Sequence, residues 1–130
     1  MLAGEKILIT GVTGKIGFPI ARELAPDNEV WGAARLADPA QHDRLTAAGV
    51  RPVALDVSRG DFTSLPDDFT YVFHAAVADG TGDWPYTLQT NAHASGELLA
   101  HCRAATGFAY CSTGSKRSST HSTTTRGRAQ

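Results

Sequence analysis

The sequence predicts a doubly wound α/β domain, in which a parallel β-sheet carries helices on both faces. Apolar segments without alternation, such as KILIT at Lys6–Thr10, are typical of strands buried on both faces. Segments with helical spacing of apolar residues lie between them, and this alternation implies parallel strands joined by right-handed crossovers. A third observation is the glycine-rich stretch TGVTGKIG, which joins the first strand to the first helical pattern.

The first strand, Lys6–Thr10, is followed by a helix whose apolar residues Ile16, Ile20 and Leu24 recur at four-residue spacing. Pro26-Asp27-Asn28 is expected to end this helix. Further along, the pattern predicts strands at Glu29–Ala34, Arg51–Leu55 and Phe69–His74, and a helix at Pro39–Ala48 with Gly49 at its C-cap.

A long helix is predicted from Trp84 to Ala105, with Asp83 as a plausible N-cap. One face of this helix carries residues spaced by three and four positions: Leu88, Ala92, Ser95, Leu99 and Cys102. A fifth strand follows at Gly107–Ser112. The expected strand order is 3-2-1-4-5, with a ligand site at the carboxyl ends of the strands beside the first and fourth.

Composition sets further bounds. A chain of 130 residues with a net charge of −1 has room for one domain. It contains no apolar run long enough to span a membrane, and its two cysteines lack metal-site spacing. The five histidines show no paired spacing with cysteines or carboxylates, so no metal site is expected. Unpaired thiols of this kind favour a cytoplasmic location.

Charge is unevenly distributed between two segments. Residues 1–112 hold eight Lys/Arg and all 13 Asp/Glu, whereas residues 113–130 hold four Lys/Arg and no acidic residue. Residues 115–130 contain no large apolar side chain and are predicted to form a disordered basic Ser/Thr/Arg-rich tail after a domain of residues 1–114. Without interleaved aromatic residues, this tail is a weak signal for nucleic-acid binding.

The three glycines Gly11, Gly14 and Gly17 suit phosphate binding. One permits a tight turn, one lets the backbone approach a pyrophosphate, and one lets the helix pack closely on the strand. The helix N-terminus then offers free N–H groups and a partial positive charge. The alternative to phosphate binding is that the three glycines form a turn with a purely structural role. The spacing excludes a P-loop, and the stretch has no Gly-x-Ser-x-Gly nucleophile elbow.

Thr10-Gly11-x-x-Gly14-x-x-Gly17 resembles the fingerprint of the extended short-chain dehydrogenases/reductases, the Rossmann-type NAD(P)-dependent epimerases and dehydratases. Three further segments resemble that family in order: Asp56-Val57, His74-Ala75-Ala76, and Asn91 in TNAHASGELLAHC. The resemblance implies that these segments contact the cofactor, together with the glycine-loop residues Thr10, Gly11, Thr13, Gly14, Lys15, Ile16 and Gly17. It implies that Asp56-Val57 binds the adenine.

Residues Tyr110–Ser115 (YCSTGS) resemble the end of the family's fifth strand, which carries a catalytic hydroxyl. In this register Thr113 is the catalytic residue, with Ser112 as the second choice. The family's catalytic Tyr-x-x-x-Lys pair is absent, because Tyr71, Tyr86 and Tyr110 are each followed four residues later by a residue other than lysine. Such a group typically contributes about 10²–10⁴-fold in rate, so this chain is not expected to catalyse by itself.

Arg35 lies at the end of the second strand, eighteen residues after Gly17, and Asp38 follows three positions later. A guanidinium there could pair with a ribose 2′-phosphate, which predicts NADP as the preferred cofactor, with NAD as the other option. The alternative is that Arg35 is a solvated surface residue with no role in cofactor binding.

The resemblance therefore implies the NAD(P)-binding part of an oxidoreductase, epimerase or dehydratase, whose intact relative acts on a hydroxyl- or keto-bearing, sugar-like substrate. The amino-acid composition changes abruptly at Lys116-Arg117-Ser118-Ser119. One hypothesis for this change is a frameshift or truncation near Ser115, and the other is a genuine tail. The alternative function is a non-catalytic module that senses NADP or binds a partner. The resemblance also allows a dimer, although the helices that would form it are incomplete in this chain.

Overall fold

The computed structural model of the protein describes residues 2–76, 85 and 88–103, together with the backbone of residues 107–110. Five parallel strands form one sheet in the order β3-β2-β1-β4-β5. Their bounds are β1 Lys6–Thr10, β2 Glu29–Ala34, β3 Arg51–Ala54, β4 Tyr71–His74 and β5 Gly107–Tyr110. The predicted doubly wound α/β fold and its strand order are confirmed.

The helices are α1 Gly17–Leu24, α2 Pro39–Ala47 and α3 Ala94–His101. A short 3-10 turn, Val57–Arg59, follows β3, and a π-helical turn, Gln89–His93, leads into α3. Asp38 caps α2, because its carboxylate accepts a hydrogen bond of 2.9 Å from the Ala40 N–H and Pro39 occupies the first helical position.

Two apolar clusters pack on opposite faces of the sheet. Successive side chains of a strand point to opposite faces, so Leu8 and its neighbours Ile7 and Ile9 belong to different clusters. The Leu8 cluster includes the buried residues of α3 and of the segment between β3 and β4, whereas the Ile7 and Ile9 cluster includes those of α1 and α2. The result is three layers, with helices on both sides of the sheet.

The third helix differs from the prediction. A single helix from Trp84 to Ala105 was expected, but the described part contains the π-helical turn and then α3, which ends at His101. Cys102 departs from helical geometry with φ −100° and ψ 19°, and its side chain is buried in the core. The His101 ring also anchors this end of the helix, because Nε2 donates to the carbonyls of Leu65 and Pro66 at 3.2 and 3.0 Å.

Candidate functional site

A cleft of about 270 Å³ opens at the carboxyl ends of the strands. Three segments that are far apart in the sequence form its wall: the glycine turn after β1, the segment after β3 and the residues after β4. Its lining residues are Gly11, Thr13, Gly14, Ala33, Ala34, Arg35, Leu55, Asp56, Val57, Ser58, Ala75, Ala76 and Thr90. In open α/β sheets this edge, beside the point where the strand order reverses, is where ligands bind.

The glycine turn is packed closely against the segment after β4. Gly11 has φ +63°, and a Cβ atom placed on it would lie 2.8 Å from the carbonyl carbon of Ala75 and the nitrogen of Ala76. Gly17 is also enclosed, because its Cβ would lie 2.5 Å from the Gly11 carbonyl oxygen. Both positions therefore require glycine, the first for its backbone conformation and for space, and the second for space alone.

The start of α1 is available to an anion. Ile16 occupies the N-cap position and supplies no side-chain hydrogen bond, and the first turn has no acidic residue. The partial positive charge of the helix N-terminus is thus not neutralised by the helix itself. Gly11, Thr13 and Gly14 line the cleft beside it, whereas Lys15 and Ile16 are exposed outside the lining.

Asp56 forms the opposite side of the cleft, at the start of the 3-10 turn. Its Oδ1 accepts hydrogen bonds from the backbone N–H of Ser58 at 3.0 Å and from the Ser58 hydroxyl at 2.6 Å. These bonds lower the pKa of the Asp56 carboxyl below its usual value, aided by the nearby charges of Arg35 and Arg59 and opposed by partial burial. The carboxylate is therefore charged and fixed in orientation.

Arg35 stands at the mouth of the cleft, directly after β2, and its side chain is exposed. The next residue, Leu36, adopts a left-handed conformation with φ 51° and packs its side chain against the core. A second cleft of about 460 Å³ shares Arg35, Leu55 and Asp56 with the first and adds Arg59 and Asp61. Arg35 can therefore reach a ligand group that extends beyond the first cleft.

A buried hydrogen-bond chain lies behind the wall of the cleft. Thr10 and His74 are paired in neighbouring strands, and Oγ1 of Thr10 lies 2.5 Å from Nδ1 of His74. The other ring nitrogen, Nε2, lies 2.9 Å from Oγ of Ser95, and that hydroxyl donates to the carbonyl of Asn91 at 3.0 Å. The Ala76 N–H donates to Oγ1 of Thr10 at 3.2 Å.

These contacts assign the proton positions in the chain. Since the Ser95 hydroxyl donates its only hydrogen to Asn91, it accepts from the Nε2–H of His74. Nδ1 is then the acceptor for the hydroxyl of Thr10. A neutral imidazole fits this arrangement, and burial lowers the pKa of His74 to about 4. The chain connects the ends of β1 and β4 to the start of α3 and so fixes the wall next to Ala76.

The structure brings eight of the sequence-predicted residues together in the cleft wall: Gly11, Thr13, Gly14, Arg35, Asp56, Val57, Ala75 and Ala76. Thr10, Gly17 and His74 are buried and outside this lining, and Asn91 lies in the π-helical turn, where its carbonyl accepts from Ser95. The predicted catalytic residues, Ser112 and Thr113, lie outside the described residues.

Five lining residues were not predicted: Ala33, Ala34, Leu55, Ser58 and Thr90. Ala34 adjoins the predicted Arg35, Leu55 adjoins Asp56, Ser58 adjoins Val57 and Thr90 adjoins Asn91, so a rule that included the neighbours of every predicted residue would have found four of the five. Ala33 had no such signal, because it lies two positions before Arg35 inside β2. Within the described ranges, no group of three His, Cys, Asp or Glu residues could hold a metal ion, and no helix is long and apolar enough to cross a membrane.

The fold and the cleft define a Rossmann-type α/β domain. The sequence also matches the model of the NAD-dependent epimerase/dehydratase family over residues 7–127. The chain therefore belongs to this family. No curated protein sequence matches it significantly.

Solved structures share the fold. A protein from Corynebacterium glutamicum, provisionally assigned to the short-chain dehydrogenases/reductases, is 27% identical over 82% of this chain and 63% of its own, with a TM-score of 0.67. UDP-glucuronic acid 4-epimerase from Bacillus cereus in complex with NAD is 23% identical over 81% of this chain and 39% of its own, with a TM-score of 0.65. ADP-L-glycero-D-manno-heptose-6-epimerase from Helicobacter pylori is 22% identical over 82% of this chain, with a TM-score of 0.67. The chain spans less than two thirds of the length of each of these structures, and 38% in the last case.

Proposed function

We propose that this chain binds a nicotinamide dinucleotide in the cleft at the carboxyl ends of its strands. The observation that carries the proposal is that one cleft collects three separate sequence segments: the glycine turn, Asp56-Val57 and Ala75-Ala76. A chance arrangement of glycines would not require these segments to meet.

The residues present fit such a ligand. The turn at Gly11 and Gly14 lines the cleft beside the uncapped start of α1, where a pyrophosphate would find free N–H groups. Because Gly11 has no Cβ, the turn can pack against the backbone of Ala75. Leu55 and Val57 offer apolar contact to a flat base, and the charged Asp56 can accept a hydrogen bond from an exocyclic amino group. Ala75 and Ala76 would lie along the middle of the cofactor.

The preferred form in this proposal is NADP. Arg35 is exposed at the mouth of the cleft, and no acidic residue follows β2 directly. A 2′-phosphate would form charge-assisted hydrogen bonds with the guanidinium, whereas a 2′-hydroxyl would not need it. Two solved neighbours illustrate both forms, since one is a complex with NAD and another, BdcA, is a complex with NADPH at a TM-score of 0.69 and 16% identity.

The test is calorimetric titration of the purified chain with NADPH and NADH. We expect tighter binding of NADPH, and Arg35→Ala should weaken NADPH about ten-fold while leaving NADH within about two-fold. Arg103→Ala is the charge-matched control, because Arg103 is exposed at the far end of α3, outside both clefts that contain Arg35. Tight NADH binding that is unaffected by Arg35→Ala would refute the preference for NADP, and binding of neither form would refute the proposal as a whole.

We further propose that the intact activity is that of an epimerase, dehydratase or reductase on a hydroxyl- or keto-bearing, sugar-like substrate in the cytoplasm. The family and the two epimerase neighbours support this substrate class. In this proposal Thr113, or Ser112 in its place, supplies the hydroxyl that contacts the substrate. Since the 130 residues contain no Tyr-x-x-x-Lys pair, the isolated chain should bind the cofactor without oxidising or reducing it. Absorbance of NADPH at its reduced-nicotinamide band, followed with added nucleotide sugars, tests this expectation.

A further inference from the structure

One hydrogen-bond chain runs behind the cleft, from its wall to the π-helical turn before α3. It begins at the Ala76 N–H, which donates to Oγ1 of Thr10 at 3.2 Å. It ends at the Asn91 carbonyl, which accepts from Oγ of Ser95 at 3.0 Å. The His74 ring joins the two hydroxyls, because its nitrogens lie 2.5 and 2.9 Å from their oxygen atoms. Four hydrogen bonds therefore connect backbone groups of two separate segments.

The two ends of this hydrogen-bond chain fix its direction. A backbone N–H can only donate and a carbonyl can only accept, whereas a hydroxyl and a neutral imidazole each do both with a single hydrogen. The Ser95 hydrogen points to the Asn91 carbonyl, so Ser95 accepts from the Nε2–H of His74. Nδ1 of His74 then accepts the hydrogen of Thr10, whose oxygen keeps a lone pair for Ala76. All four hydrogen bonds point the same way, and bonds aligned in this manner strengthen one another.

The hydrogen bond to Ala76 positions a peptide that packs against the glycine turn. Regular pairing of β1 with β4 ends where the Ala75 N–H donates to the Thr10 carbonyl at 3.3 Å, and the Thr10 side chain holds the next residue as well. A Cβ on Gly11 would lie 2.8 Å from the Ala75 carbonyl carbon and from the Ala76 nitrogen. A rotation of this peptide would therefore move the cleft wall against the glycine turn.

We propose that Ser95 is a positioning residue of the dinucleotide cleft, because its hydroxyl sets the direction of the hydrogen-bond chain and so holds the Ala75–Ala76 peptide in place. This inference rests on the proposed function. Ser95 lies outside the cleft lining, so it acts through His74 and Thr10 and not through a contact with the ligand. Without the Ser95 hydroxyl, the Nε2–H of His74 loses its acceptor, and the ring is no longer tied to α3.

The experiment compares Ser95→Ala, which removes the hydroxyl, with Ser95→Thr, which keeps it. Thr46→Ala is the matched control, because the exposed Thr46 hydroxyl also donates to the carbonyl four residues earlier, that of His42, on α2 and outside the dinucleotide cleft. Thr10→Val and the double variant Thr10→Val/Ser95→Ala show whether the two hydroxyls act together. Each full 130-residue variant is titrated with NADPH by calorimetry.

A second measurement needs no ligand. Nitrogen-15 NMR of the wild type at pH 7 identifies which ring nitrogen of His74 carries the hydrogen, and His74→Gln assigns the signal. We expect this hydrogen on Nε2, as the direction of the hydrogen-bond chain requires. Because this result does not depend on a variant of Ser95, it remains a test if Ser95→Ala does not fold.

Ser95→Ala should weaken NADPH binding about three- to ten-fold, while Ser95→Thr and Thr46→Ala stay within about two-fold of the wild type. Since both hydroxyls act through one hydrogen-bond chain, the double variant should lose no more affinity than Thr10→Val alone. A merely structural serine would instead give losses that multiply.

Three results would each overturn this inference and leave the proposed function intact. They are a hydrogen on Nδ1 of His74, equal affinity of Ser95→Ala and the wild type, and multiplied losses in the double variant. A wild type that binds no NADPH would refute the proposed function, and the role of Ser95 with it.

Discussion

Substitution of Gly11 by alanine tests the architecture of the glycine turn. Two separate effects act at this position: the backbone has φ +63°, and an added Cβ would lie 2.8 Å from the backbone of Ala75. A left-handed conformation costs a non-glycine residue about 1–2 kcal/mol. Forcing an extra carbon into a filled space costs about 1–3 kcal/mol more. Gly11→Ala should therefore lower the free energy of unfolding by about 2–5 kcal/mol.

Two other glycines separate these effects. Gly4 has φ +69° but no atom within 4 Å of its added Cβ, so Gly4→Ala measures the cost of the backbone conformation alone. Gly17 has no positive φ, and its Cβ would lie 2.5 Å from the Gly11 carbonyl oxygen, so Gly17→Ala measures crowding alone. We expect Gly4→Ala to be the mildest of the three and Gly11→Ala to approach the sum of the other two.

Urea unfolding followed by tryptophan fluorescence measures all three variants. Trp31 is a suitable reporter, because its ring packs edge-on against the buried Phe69 with 6.0 Å between ring centroids. If Gly11→Ala proved no more destabilising than Gly4→Ala, the conclusion that the glycine turn packs closely against Ala75 would be wrong. If Gly11→Ala also kept full affinity for the dinucleotide, the glycine turn would have no role in shaping the cleft.

Two further predictions concern the polar groups around the cleft. Burial lowers the pKa of His74 to about 4 from its ordinary 6.5, so the unfolded chain binds more protons between these values. The free energy of unfolding should fall by up to about 3 kcal/mol as the pH drops through this window, and His74→Gln should flatten the dependence; an unchanged slope in the variant would contradict the burial of a neutral ring. Asp56→Ala removes the cap on the 3-10 turn and should cost about 0.5–2 kcal/mol by urea unfolding at pH 7, where the carboxylate is charged. Asp68→Ala, which removes an exposed carboxylate that pairs with Lys6 at the amino end of β1, away from both clefts, should leave dinucleotide affinity unchanged, whereas Asp56→Ala should reduce it.

Local patterns were sufficient to predict the strands, and the order in which the strands pair followed from the Rossmann type of fold that the glycine turn indicates. KILIT at β1 is apolar at consecutive positions because both of its faces are covered, and the sheet confirms this with Leu8 on one face and Ile7 and Ile9 on the other. The end of the last helix could not be predicted in the same way. His101 and Cys102 continue a helical pattern in the sequence, but the carbonyls of Leu65 and Pro66, more than 30 positions away, hold the chain where the helix stops.

For this protein, the sequence by itself determined the alternation of strands and helices, the glycine turn and the position of Arg35 and Asp56 after their strands. These features depend on residues close together in the chain, where spacing reports directly on backbone geometry. Only the tertiary structure decided that His74 lies beneath the cleft wall, bonded to Thr10 and Ser95, and that Thr90 lines the cleft. The physical reason is that side-chain direction at these positions depends on partners from other strands and on one π-helical turn, and no local pattern encodes either of them.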